Sequence, residues 1–290
     1  MKLLSQRSLL LRPLQHGIAG DIIPNIRSMK QRMSTELRIL PITGIGEIPP
    51  GANLGAIIYE ALHHQHLTVQ HGDILVVTQK IVSKAEGCTV NLDDVQPSEF
   101  ACTIAQQSGK DARHVEVVLR ESKRIVRMSH GVLISETQHG FICANAGVDE
   151  SNVNGKQQLT LLPVDPDRSA QALRTQLQQQ VNENLEDTTL DIAVIISDTW
   201  GRPWRNGQVN MAIGVAGMES LIDYRGQYDP YGYELHASII AVADELAAAA
   251  ELVMGKIDSI PVALIRGYAY VPAKGDARSL IRDSATDMFR

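Results

Sequence analysis

Two aspartates stand where this sequence can place chemistry. Asp149 sits in the small-residue stretch CANAGVDESN, and Asp198 ends an apolar run in VIISDTWGRPWR. A carboxylate held at the end of a buried strand is a natural ligand for a hard divalent cation, and Asn152 and Thr199 add neutral oxygen donors beside the pair. Such a set resembles a magnesium or manganese site that bridges nucleotide phosphates. The competing reading, in which both aspartates merely cap local turns, stays open at this level. Arg202 and Arg205 follow in GRPWRNG. Their guanidinium groups suit bidentate contact with a carboxylate, a phosphate or an acyl phosphate, although paired arginines also occur on solvated loops. Lys80 and Lys84 lie beyond the apolar run ILVV and offer point charges to a phosphate, or are ordinary exposed lysines.

Several alternatives lack their residues. GIGEIPPG has the wrong glycine spacing for a dinucleotide fingerprint, and two prolines stand where a helix should begin. There is no GxxxxGK[ST] loop and no GxSxG nucleophile elbow. His63 and His64 are adjacent in a helical pattern, so they cannot share one metal, and surface solvation is the role expected of them. Cys88, Cys102 and Cys143 are too few and too scattered for a disulfide framework or a CxxC site, which points to a reducing cytoplasm. A net charge of −6 supplies no basic field for nucleic acid. No run reaches the roughly 18 apolar residues of a membrane span. The most apolar stretch, Ile239 to Met254, is broken by Asp244, Glu245 and Glu251.

The elements that must position these groups follow from periodicity. LRILPI is a predicted first strand, TGIGEIPPGAN a punctuated loop and LGAIIYEALHHQ an amphipathic helix. Gly72-Asp73 turns into a buried strand through Ile74, Leu75, Val76 and Val77, with polar residues clustered at its far end. PSEFACTIAQQSG predicts a helix capped by Ser98 and stopped by Gly109. EVVLRESKRIVRMSHGVLISETQHGFICANAG reads as an antiparallel meander. SAQALRTQLQQQVNENL predicts a helix with Ser169 as N-cap, and LDIAVIISDTWGRPWR a second buried strand ending in polar residues. ELHASIIAVADELAAAAELVMGK reads as the longest helix, ended by Gly255, and IPVALIRG as the last strand. With 290 residues, 44% of them hydrophobic and 21% charged, the chain can bury one large core or two modest ones. The mixture lacks strict β-α alternation, so the expected class is α+β with parallel elements and two intimately joined lobes. Residues 1 to 36 are expected to be an extension, either disordered or produced by a start codon placed too early, with Met33 an alternative beginning. The basic, apolar LLLRPL region leaves a targeting segment as the other reading. Residues 37 to 290 form the functional domain.

From about Leu37 onward the chain resembles the coenzyme F420-0 gamma-glutamyl ligases, the CofE family, which also forms the N-terminal part of FbiB proteins. The resemblance is carried by LPITGIGEIPPG, GDILVVTQKIVSKAEG, RESKRIVR, GFICANAGVDESN, LLPVDPDRSA, IISDTWGRPWRNG, AIGVAGM, DYRGQYDPYGYEL, AVADELAAAAELVMGK and IPVALIRG, in that order. It implies a CofE-like fold of mixed sheets and helices. It also implies a GTP-dependent ligase that activates a carboxylate of F420-0 as an acyl phosphate and couples it to L-glutamate, with F420-1 as a further acceptor. By the same resemblance Asp149 and Asp198 bind one magnesium or manganese ion and Thr199 helps bind a second, while Ile45, Gly46, Glu47, Ile48, Gln79, Lys84, Asn152, Gly255 and Lys256 meet the nucleotide. Potassium, a homodimer and a cytoplasmic location are implied as well. Arg202 and Arg205 are assigned substrate or phosphate contacts on charge type alone, and no general base is identified. The alternatives are an amide ligase of the same fold with another carboxylate acceptor and a non-catalytic GTP-binding protein. The chain departs from the family in having Ala52 and Asn53 where relatives often carry two acids, in placing the cation Lys256 where some relatives have a neutral or acidic metal-facing group, and in lacking the reductase-like second half of FbiB proteins.

Overall fold

A computed structural model describes residues 36–153, 156–182 and 190–288. Apart from Glu36, the expected N-terminal extension lies outside them. In chain order the first strand, β1, is Arg38–Ile42, and helix α1 is Leu54–His64, capped by Asn53. Strand β2 is Ile74–Thr78, helix α2 is Gln79–Ala85 and β3 is Thr89–Asn91. Helices α3, Glu99–Ser108, and α4, Ala112–Glu121, precede β4, Ser122–Ser129, β5, Val132–Thr137, and β6, Ile142–Ala144. Strands β7, Asp149–Val153, and β8, Lys156–Thr160, lead to helix α5, Pro166–Asn182. A long hairpin of β9, Ala193–Arg202, and β10, Arg205–Ala216, is followed by the two-residue strands β11, Ile222–Asp223, and β12, Ile239–Ile240. Helix α6, Val242–Met254, and strand β13, Val262–Arg266, complete the frame.

The central sheet has the order β1-β13-β2-β9-β10, and only β2 and β9 run parallel. The expected α+β class is therefore observed. Strand β2 explains its own apolar run: Leu75 and Val77 enter a core with α1, α2 and α5, while Ile74 and Val76 enter a second core against α6. Both faces being covered, every residue of Ile74–Val77 is fully buried, each side chain stabilising the fold by about 1.5–3 kcal/mol. Leu75→Ala would leave a cavity costing about 2–5 kcal/mol. A third core joins α3 and α4 to Leu133, Ala146, Val148 and Leu159.

The predicted caps at Ser98 and Gly109 are observed. The Ala101 N–H donates to Ser98 Oγ at 3.2 Å, and Gly109 has φ 70°. Four predictions need correction. The strand expected to run on past Val77 turns into α2. Seven helical residues are too few for their periodicity to show, and the turn is tied internally by Ser83 Oγ donating to Gln79 Oε1. The expected meander starts only at Ser122, because Val115, Val117 and Val118 bury one helical face of α4 rather than alternate faces of a strand. Helix α5 starts at Pro166, not after Ser169. Asp165 accepts the Arg168 N–H, and proline suits a first helical position. Finally, α6 has 13 residues and α5 has 17, so the alanine-rich helix is not the longest. Its expected first part, residues 234–241, lies instead in a turn-rich arm, where Ile239 and Ile240 pair with Asp223 and Ile222 as β12 against β11.

Candidate active site

Because β2 and β9 are parallel neighbours with Thr78 opposite Ser197, the carboxyl end of β2 opens beside the middle of β9. This register brings Gln79 and Lys80 beside Asp198 and Thr199, the position at which sheets of this kind bind ligands. A cleft of about 420 Å³ lies there. Its wall opposite the strand ends comes from the loop after β1, with Ile45, Gly46 and Glu47, and from the loop after α6, with Gly255, Lys256 and Ser259.

Asp149 arrives from the remaining side through an irregular turn. Asn145, Ala146 and Gly147 all have positive φ, between 51° and 71°. A Cβ on Gly147 would meet Leu162 at 2.8 Å, so only glycine fits this left-handed position. Lys110 Nζ donates to Asn145 Oδ1 at 3.0 Å and pins the turn from outside. The turn delivers Asp149 as the first residue of β7, at the cleft edge.

The two aspartates are differently held. Asp198 Oδ1 accepts the Thr199 N–H at 2.8 Å, and Oδ2 accepts Trp200 Nε1 at 2.9 Å. Burial and the nearby negative charge of Asp149 nevertheless push its carboxyl up to about 6. Among the described residues Asp149 is met only at 3.5 Å, by Gln79 Nε2 and by Lys80 Nζ. Behind the pair, the Cys143 thiol is pushed up to about 12, by burial first and then by both carboxylates, so it is no nucleophile at neutral pH. The Ser197 hydroxyl at the cleft floor has no partner among the described residues.

Asp198, its proton affinity raised by burial and by the carboxylate of Asp149 beside it, forms with Asp149 an anionic pair short of compensation, and one divalent cation fits it. Among the described residues no three His, Cys, Asp or Glu side chains converge, so further ligands must be neutral oxygens. The Thr199 hydroxyl is already engaged. It donates to Asn210 Oδ1 at 2.7 Å and accepts from Lys256 Nζ, whose ammonium also pairs with Glu251 at 3.1 Å. A second divalent cation at Thr199 therefore does not fit this arrangement. Lys84 Nζ bonds Glu47 Oε1 at 2.6 Å across the cleft mouth, and the Gly51 N–H donates to the Ala85 carbonyl, tying the β1–α1 loop to α2.

The structure brings together Ile45, Gly46, Glu47, Gln79, Lys84, Asp149, Asp198, Thr199, Gly255 and Lys256 around one cleft. Ile48 is buried in the core beside it. Asn152 has its backbone on β7, and its side chain falls outside the described residues. Arg202 and Arg205 do not line the cleft: they face one another near the end of the β9–β10 hairpin, and Arg202 Nη2 donates to the Asn206 carbonyl at 3.2 Å. Asn210 and Trp200 escaped the reading by residue type. A signal for Asn210 was present, since it is a lone amide inside the otherwise apolar run VNMAIGVA and is 3% exposed.

The F420-0:gamma-glutamyl ligase family model matches residues 44–267. The coenzyme F420:L-glutamate ligase of Methanothermobacter thermautotrophicus is 43% identical over 257 residues, covering 88% of this chain and 99% of the relative. The enzyme of the same name from Methanopyrus kandleri is 43% identical over 259 residues, covering 88% and 98%. That of Methanocaldococcus jannaschii is also 43% identical, over 223 residues, covering 77% and 86%. The cleft residues Ile45 to Gly255 all fall inside the matched span, and the chain belongs to the F420-0:gamma-glutamyl ligase family.

Proposed function

We propose that this chain joins L-glutamate to coenzyme F420-0 through a gamma-glutamyl amide, using GTP, in the cytoplasm. The observation that carries the reading is the pair Asp149, at the start of β7, and Asp198, on β9, inside a cleft also lined by Lys80, Lys84, Lys256 and Glu47. A divalent magnesium or manganese ion held by the two aspartates would neutralise phosphate oxygens of the nucleotide.

The remaining chemistry falls to the chain's own residues. Lys84 would leave Glu47 for a phosphate oxygen, and Lys80 would do the same from Asp149. The loop from Ile45 to Glu47 and the loop at Gly255 and Lys256 border the nucleotide. The F420-0 carboxylate attacks the terminal phosphorus, the bond to GDP breaks, and an acyl phosphate results. The glutamate amine then attacks the acyl carbon, phosphate leaves, and the amine gives up a proton. Keeping water from the acyl phosphate requires closure over the mouth. Arg202 and Arg205, outside the cleft, would meet the part of a substrate that extends beyond it. Potassium binding, addition to F420-1, a homodimer and a two-lobed arrangement, with the third core as the second lobe, belong to the same reading. The three free cysteines agree with the cytoplasm.

Purified protein incubated with F420-0, L-glutamate, GTP and manganese should yield F420 heavier by glutamyl units, together with GDP, in a mass spectrometer. Addition must fail when any one component is withheld. GTP cleavage without addition to F420-0 would transfer the reading to another acceptor carboxylate, and unaltered GTP would end it.

A further inference from the structure

We propose that Lys256 serves as a built-in cation beside Thr199, supplying the positive charge toward a bound nucleotide that a second divalent ion would otherwise bring, so that each chain holds one divalent cation. The inference rests on the nucleotide-dependent ligase reading above.

The geometry is that of an occupied position. Thr199 Oγ1 has one proton, which goes to Asn210 Oδ1 at 2.7 Å, and it accepts from the Lys256 ammonium. A divalent ion ligated by this oxygen would sit about 2.1 Å from it, within contact distance of the ammonium, where like charges repel. Asn210 is 3% exposed on β10 directly opposite Thr199, so the hydroxyl cannot turn its lone pairs away from the ammonium without orphaning a buried amide oxygen.

Lys256 is also held in place from behind. Gly255 ends α6 with φ 60°, and a Cβ there would meet Asp258 Oδ2 at 2.8 Å, so the chain reverses sharply one residue before the lysine. Glu251, from the last turn of α6, pairs with the ammonium at 3.1 Å and directs it back to the cleft. The pair Asp149 and Asp198 differs: among the described residues its one ion-pair partner is Lys80, at 3.5 Å from Asp149, which leaves room for a metal. Lysine at 256 thus converts a two-ion arrangement into one ion plus one ammonium.

The test is a manganese titration of the full chain in saturating GDP, with the free ion followed by electron paramagnetic resonance. Wild type should bind one manganese per chain. Lys256→Glu, which removes the ammonium and adds a carboxylate beside Thr199, should double the count while its melting curve shows it folded; the side chain is 58% exposed, so folding does not depend on it. Two ions per chain in wild type, or a count unchanged in Lys256→Glu, would overturn the inference and leave the ligase reading standing. Absence of both GDP and manganese binding in wild type would overturn both.

Discussion

Glu116 and Asp198 are acids in two regions of one molecule that have been pushed in opposite directions. Glu116, on α4, accepts the Ser98 hydroxyl at 2.6 Å, the Ser98 N–H at 3.0 Å and Arg120 Nε at 2.9 Å. These bonds, the Ser98 hydroxyl first among them, pull it down to about 2. Asp198 has two donors of its own, yet burial and then Asp149 push it up to about 6. The difference lies in completeness. At Glu116 the protein satisfies the charge and thereby joins two helices; at the cleft it gathers charge that only a visitor can satisfy, which is how binding sites differ from structural ion pairs. The consequences for stability have opposite signs. Glu116 contributes stability that is present above its ordinary value of 4.5 and is lost as pH falls toward about 2. Asp198 opposes folding of the cation-free protein increasingly as pH rises from 3.8 to about 6, and fully above that.

The strongest way to break the contrast is Asp198→Asn. Ligation should fall on the order of 100-fold or more, while the cation-free variant melts close to wild type at neutral pH, because the repulsion removed offsets the one acceptor that asparagine lacks toward Thr199 or Trp200. Glutamyl addition by mass spectrometry and a melting curve measure the two arms; a large drop in melting temperature would make Asp198 structural like Glu116. Next in size is the pH dependence of cation binding. Below about 6 a proton competes for Asp198, so manganese affinity measured by calorimetry should weaken by up to about tenfold per pH unit as pH falls. An affinity flat from pH 7 to pH 5 would remove Asp198 from the site. Lys84→Ala should raise the Kd for GTP about tenfold, the worth of one charge-assisted bond, with glutamate KM unmoved. Equal effects on both would make Lys84 a prop for the β1–α1 loop. The smallest effect is expected from Glu116→Gln. It should cost about 1 kcal/mol in urea unfolding and leave ligation intact. A loss of activity there would couple the third core to the cleft.

Legibility in the sequence followed the range of the forces involved. Ile74–Val77 and Ala193–Ile196 showed as buried strands because an unbroken apolar run needs cover on both faces, and the polar residues after each showed where a cleft could open. Ser98, Gly109 and Gly255 showed as helix ends because capping is a matter of a few neighbouring backbone groups. Helix α4 was read as strand because VEVVL alternates as well as it spirals, and only packing against Ala101, Ile104 and Ala105 selects the helical face. The long blocks, from GFICANAGVDESN to IISDTWGRPWRNG, pointed to the family, and the family model covers residues 44–267.

By itself the sequence determined the chemistry available: two acids at element ends, lysines within reach of them, and the apolar runs that would bury the rest. Tertiary structure decided the assembly. The parallel pairing of β2 with β9 sets Thr78 opposite Ser197 and so puts Lys80 and Asp198 on one cleft, although more than a hundred residues separate them. It left Arg202 and Arg205 out along the hairpin, and it brought Lys256 onto Thr199 across 57 positions. Residue type says which ion a side chain can bind; whether an ammonium already stands there depends on contacts between distant segments, which no local pattern encodes.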